Sequence, residues 1–302
     1  MSMYFLEKYI TTPMWGNKMK SIICEIKKSL YIPFFGMSCL GVVLVCLLSE
    51  GYTSLSGKNY TIIELLLLKR NAMLTDINLN RYEIWNRGIG TWTQLLLPFL
   101  LSIGYLYVIS SERQTGMNRL MLIREGNVRY GVSKVVSAMF SGGCIMLVGY
   151  IIFGLIVYVK FPSIYEYSTE NINDYMQFYP NFNEGMLCFE RCISTFIYGM
   201  SVNVFSYIVS ILFTDKYILL CLPVMLKYIW GQAILKIQID AMNKGHDMIL
   251  NLSSGLRPEN ILNVRHDYLW GVSLAFVFFV YMLGLCLNIY MLKKKGDDFG
   301  FE

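Results

Sequence analysis

Val135-Val-Ser-Ala-Met-Phe-Ser-Gly-Gly-Cys-Ile-Met-Leu-Val-Gly-Tyr-Ile-Ile-Phe-Gly-Leu-Ile-Val-Tyr-Val159 runs for 25 residues without an Asp, Glu, Lys or Arg, and Lys134 and Lys160 close it at either end. A helix rises about 1.5 Å per residue, so this stretch is long enough to cross roughly 30 Å of hydrocarbon. Charge-free runs recur at Ser29–Ser49, Gly88–Ser111, Cys192–Thr214 and Tyr268–Leu292, and Tyr217–Leu235 is interrupted only by Lys227. The spacing predicts six spans, over about 30–48, 91–110, 135–158, 192–213, 217–234 and 269–291. The predicted fold class is an all-α polytopic membrane protein.

Composition agrees. Of 302 residues, 55% are hydrophobic and 16% charged, against about 25% charged in ordinary soluble domains. Too few polar side chains exist to coat a water-facing globule, which argues against a soluble enzyme and against disorder. Glu7, Lys8 and Pro13 interrupt the first apolar patch, so residues 1–17 do not read as a cleaved secretory signal.

Six spans leave both ends on one side. That side carries 14 Lys and Arg in about 65 residues, at 1–29, 111–134, Lys216 and Lys293–Lys295. The opposite side carries 11 in well over 100 residues, with 13 of the 21 acids. The positive-inside rule places both termini in the cytoplasm. The organisation is then a cytoplasmic N-terminus over 1–29, one transmembrane domain over 30–292 and a cytoplasmic tail over 293–302. The net charge of +5 reflects that topology and not nucleic-acid binding. Tyr60–Leu68 is too short to cross and reads as a short external helix.

Charges that could perform chemistry inside the spans are scarce. No Gly-x-x-x-x-Gly-Lys-Ser/Thr phosphate loop occurs, His246 and His266 have no clustered ligands, and no span holds a carboxylate. The reading is therefore of a non-enzyme with no metal and no cofactor of its own, and an ion-coupled carrier is disfavoured. The eight cysteines read as packing residues. Ser137, Ala138, Ser141, Gly142 and Gly149 give the small-x-x-x-small spacing that lets another helix approach closely.

Two readings stay open at Lys227, the candidate pathway residue. It can face a cavity as a substrate contact. Alternatively, the span ends near Met225, after Pro223, and the lysine snorkels to the outer interface beside Tyr228 and Trp230. The proline favours the second.

Two segments on the cytoplasmic side carry information. Met19, Ile22, Ile23, Ile26 and Leu30 form an apolar stripe at helical spacing, with Lys20, Glu25, Lys27 and Lys28 on the other face. That is an amphipathic helix suited to lie along the inner leaflet. Between spans two and three, Glu112-Arg113 opens a loop in which Met117, Leu120 and Met121 share one helical face and Gly126-Asn127 is a stop signal.

An interfacial helix, six spans and a Glu-x-x-x-Gly-x-x-x-Leu loop leading to a lysine at span three, here Glu112, Gly116, Leu120 and Lys134, resemble the permease subunit of a type-two ABC exporter. The resemblance implies that Glu112, Arg113, Gly116, Met117, Leu120, Met121 and Arg124 form a coupling helix that docks on a separate P-loop ATPase. ATP and Mg would be held by that ATPase. It also implies a second permease copy or a sister permease, and a translocation path between the two. Where that family often has a Pro-x-Arg-like element, this chain has Ile123-Arg124-Glu125-Gly126. The spans, rich in Phe, Tyr and Met, suit a peptide, an antibiotic or another amphipathic cargo, and the low Pro content points to a bacterial cell membrane. The alternative is a non-transporting accessory or immunity protein of the same topology that binds a partner.

Overall fold

The computed structural model describes residues 18–298 apart from 31–32, 55–56, 70–72, 75, 169–171, 173–182, 213–214 and 263–267. The predicted segments at 1–17 and 299–302, and most of the aromatic, acidic stretch 169–182, lie outside the described residues.

The chain is mostly helical. It opens with α1 (Lys18–Leu30) and α2 (Pro33–Leu47), two helices bent by 62° relative to each other. Pro33 begins α2, where its missing N–H costs no intrahelical bond. After a small cap come α5 (Thr91–Gln114), α6 (Met117–Glu125) and α7 (Asn127–Lys160). Then follow α8 (Glu184–Leu212), α9 (Lys216–Lys244), α10 (Asp247–Gly255) and α11 (Tyr268–Asp298).

Among the described residues, four helices are long and apolar enough to cross a membrane: α5, α7, α9 and α11. The bent pair α1–α2 makes a fifth when counted as one span. The predicted span 192–213 falls on α8, at the edge of the described residues.

The distribution of side chains is that of a chain compatible with a membrane. Met37, Leu40 and Leu44 form an exposed row along α2 that Leu48 extends past its end, and Phe278, Phe279, Met282 and Leu283 form another on α11. Meanwhile Ser102, Ser133, Ser137, Ser141, Ser206 and Ser210 are buried. Soluble monomers rarely expose contiguous apolar surface of this extent.

α7 is the central post, with α1, α2, α5, α8 and α11 all packed against it. It meets α8 most closely where side chains vanish. A Cβ on Gly142 would lie 2.6 Å from the Gly199 carbonyl oxygen and 2.3 Å from the Asn203 Cβ. On another face, Gly149 lets Val42 of α2 approach. Asn203 donates to the Ala138 carbonyl at 2.7 Å and so ties the seam across.

The reading of Tyr60–Leu68 as a short external helix understates the order of this region. An antiparallel hairpin pairs β1 (Glu50–Thr53) with β2 (Asn59–Thr61), and α3 (Ile62–Leu66) follows with a capping box from Thr61 and Glu64. Ile62 and Leu65 are buried in the main core. α4 (Arg81–Arg87) then lays Trp85 flat on Tyr150, at 5.0 Å between rings and 17° between planes. Tyr150 Oη donates to the Trp85 carbonyl at 2.9 Å while Trp85 Nε1 donates to the Tyr150 carbonyl at 3.2 Å. Gly154 leaves the room that the indole needs. Arg81 chelates Glu184 of α8 through both oxygens and lies over Tyr158, which holds its guanidinium charged above the ordinary arginine value. These contacts fix the cap to one end of α7 and α8, at the opposite end of the bundle from α6.

Candidate functional site

α6 is a short helix set off by two glycines that only a residue without a Cβ adopts easily. Gly116, at φ +72°, precedes it, and Gly126, at φ +77°, follows it. The Gly126 N–H donates to the Leu122 carbonyl at 2.9 Å, so the helix stops at Glu125 and α7 starts at once in a new direction. Of the residues predicted here, Met117 and Met121 are half-buried and Arg124 is exposed. Leu120 is 70% exposed. The Arg113 side chain lies outside the described residues. Ile123, which the sequence reading left off the face, is 73% exposed three residues from Leu120. The outward apolar pair is thus Leu120 and Ile123, with Arg124 beside it.

Glu112 faces the other way. Lys134 Nζ donates to Glu112 Oε2 and to Glu25 Oε2, each at 2.6 Å, and Lys28 pairs with the remaining Glu112 oxygen. The Lys134 side chain is 1% exposed and both carboxylates 7%. Two acids and two bases make the group neutral, which is what allows it to be buried. It joins α1, α5 and α7.

The cluster corrects two sequence readings. Glu25 belongs to the buried face of α1, with half-buried Ile22 and Ile26 and buried Ser29, while Ile23 of the predicted stripe points outward. Lys28 pairs inward rather than lying free among head groups. The sequence signal that could have found Glu25 is its spacing: it falls at i+3 from Ile22 and i−4 from Ser29.

Lys227 marks the second place of interest. The helix does not stop near Met225: α9 continues unbroken through Pro223 to Lys244, turns at Gly245 (φ +66°) and returns as α10. The returning segment lies along α9, with Trp230 Nε1 donating to the Leu256 carbonyl at 3.2 Å and Gln238 donating to Ser254 Oγ at 3.0 Å. A 3-10 turn, Pro258–Leu262, then brings Glu259 to 3.2 Å from Lys227 Nζ. Lys227 also donates to Tyr198 Oη at 2.5 Å and to the Gln94 carbonyl. Its side chain is therefore turned into the bundle, between α5, α8 and α9, with an apolar cavity of about 240 Å³ beside it. Tyr198, Gln94 and Glu259 were not singled out from sequence, because only the reversal at Gly245 brings Glu259 back.

No protein-family model and no curated protein matches this chain.

Proposed function

We propose that the chain is the membrane-spanning permease subunit of an ATP-driven ABC exporter of the type-two class. In this reading six spans cross the cell membrane with both termini in the cytoplasm, α8 supplies the fourth span, and the cap lies outside. The protein hydrolyses nothing itself. A separate P-loop ATPase holds ATP and Mg, and a second permease copy or a sister permease completes the path for a peptide, antibiotic or other amphipathic cargo.

The observation that carries the reading is the construction of α6. It is a nine-residue helix bounded by two glycines of positive φ, presenting Leu120 and Ile123 outward, and the helices on either side of it, α5 and α7, are tied to each other and to α1 by the Glu112–Lys134–Glu25 charges. Such a knob transmits a push because the helices that flank it are tied together while its own apolar pair is exposed. ATP binding would close the partner ATPases on this knob and tilt the bundle, the nucleotide acting by its unequal affinity for the two arrangements.

The test is a mild-detergent purification of the tagged chain from its host. A stoichiometric P-loop ATPase should accompany the parent protein and be lost from Leu120→Asp, which still inserts and yields the same monodisperse profile. ATP-dependent efflux should disappear with it. An ATPase retained by Leu120→Asp, or a chain that purifies with a partner other than an ATPase, refutes the assignment.

A further inference from the structure

The cavity beside Lys227 lies between α5, α8, α9 and α11. Pro98, Val202, Phe205, Pro223 and Val280 form its apolar wall, and Trp230 closes one side, stacked on Phe276 at 5.7 Å and 10°. Its 240 Å³ exceeds the roughly 150 Å³ at which an apolar protein cavity already takes up benzene. Among the described lining residues Lys227 alone is charged. A carboxylate already sits on its ammonium, that of Glu259, and at 3.2 Å it is looser than the 2.5 Å contact to Tyr198. Glu259 rides on a short 3-10 turn rather than on a span. Two residues earlier, the Nε of Arg257 is shut off from solvent and has no hydrogen-bond partner among the described residues.

We propose that the cavity binds a single-chain anionic amphiphile of the fatty-acid type. Its head group takes the place of Glu259 on Lys227, and its tail lies against the apolar wall. The displaced carboxylate leaves with its turn, two residues from the unsatisfied Arg257 donor. Glu259 is then an internal stand-in that keeps the lysine neutralised while the cavity is empty, so that no uncompensated charge is left half-buried. The ligand's charge replaces that of Glu259, and the net gain comes from the tail, which buries apolar surface that Glu259 cannot cover. The inference concerns binding alone and stands or falls separately from transport.

The experiment uses the full chain in phosphatidylcholine nanodiscs, with a terminally brominated undecanoate as probe and tryptophan fluorescence as readout. Quenching should saturate, and the saturable part should vanish in Trp230→Phe. Lys227→Gln should raise the half-saturating concentration at least about tenfold, the loss expected for a charged hydrogen bond. Glu259→Gln, which removes the competing carboxylate, should lower it, and Val280→Phe, which fills the cavity without touching the ion pair, should raise it. The last two variants decide the matter if Lys227→Gln fails to fold. Equal quenching by brominated undecanol, unchanged affinity in Glu259→Gln and Val280→Phe, or a response that never saturates overturns the proposal. Lys227-dependent quenching by brominated phosphatidylglycerol, in place of the free acid, overturns the single-chain assignment.

Discussion

Replacing Lys134 with Met removes the centre of the charge cluster and keeps a side chain of similar length. In the parent, Nζ lies 2.6 Å from an oxygen of Glu25 and 2.6 Å from one of Glu112, and both carboxylates are almost wholly withdrawn from solvent. The variant leaves those two negative charges in one buried place, with only Lys28, 36% exposed, reaching one of them. Breaking a buried ion pair from one side costs about 3–5 kcal/mol. In chains of a few hundred residues 1 kcal/mol moves the melting temperature by roughly 2–4 °C. Lys134→Met should therefore melt about 6–20 °C below the parent. The assay is far-UV circular dichroism of the purified protein in dodecyl maltoside, at one fixed heating rate because such unfolding is commonly irreversible. The triple variant Glu25→Gln, Glu112→Gln, Lys134→Met deletes the orphaned charges together and should recover most of the loss. A drop in Lys134→Met smaller than the roughly 2 °C that 1 kcal/mol brings, or a triple variant that melts below the single one, refutes the claim that these charges are held as one unit.

Two further outcomes follow from the packing and the cap. Gly142→Ala puts a methyl 2.6 Å from the Gly199 carbonyl oxygen and should cost about 1–3 kcal/mol, seen as a lower melting temperature. Gly36→Ala, with nothing within 4 Å of the new methyl, should not lower it. Burial pushes the Asp76 carboxyl up. The hydrogen bonds that it accepts from Tyr52 Oη and from Asn78, with the charge of Arg87 nearby, outweigh this and hold it below the usual carboxylate value. A depressed folded-state value stabilises the cap above the unfolded carboxylate pKa of about 4, and the contribution is lost as pH falls through the folded value. The advantage of the parent over Asp76→Asn in melting temperature should hold at neutral pH and vanish in acid; an advantage that persists in strong acid contradicts the sign.

The spans were legible because a bilayer imposes a length on charge-free sequence, and α5, α7, α9 and α11 answer to that rule directly. The stop of α6 at Gly126 was legible for a local reason, since that glycine takes a backbone angle that other residues avoid, whereas the matching corner at Gly116 was not read from the sequence. What could not be read depended on partners distant in sequence. Glu25 looks like a solvent-facing residue of an amphipathic helix until Lys134, 109 residues later, is placed against it. Pro223 reads as a terminator, yet α9 passes through it: the proline is the eighth residue of a helix that α5, α8 and α10 support. The cap was underread because Ser49, Tyr52 and Trp85 are ordered by α4, α7 and the Asp76 turn, and no periodicity in residues 50–90 announces that.

The pairing of Glu25 with Lys134 also sets an order of events during synthesis. Chains emerge at about 5–20 residues per second, so the lysine arrives roughly 5–20 s after its acid. Throughout that interval α1 can insert or lie on the surface, but it cannot be seated, because Lys134, the cation that neutralises Glu25 within the bundle, is not yet made. Glu112 lies only 22 residues before Lys134, so the α5–α7 hairpin can close before Glu25 is seated. α1 is thus translated before α7 and locked only after it, and a chain halted before α7 leaves Glu25 without the lysine that neutralises it.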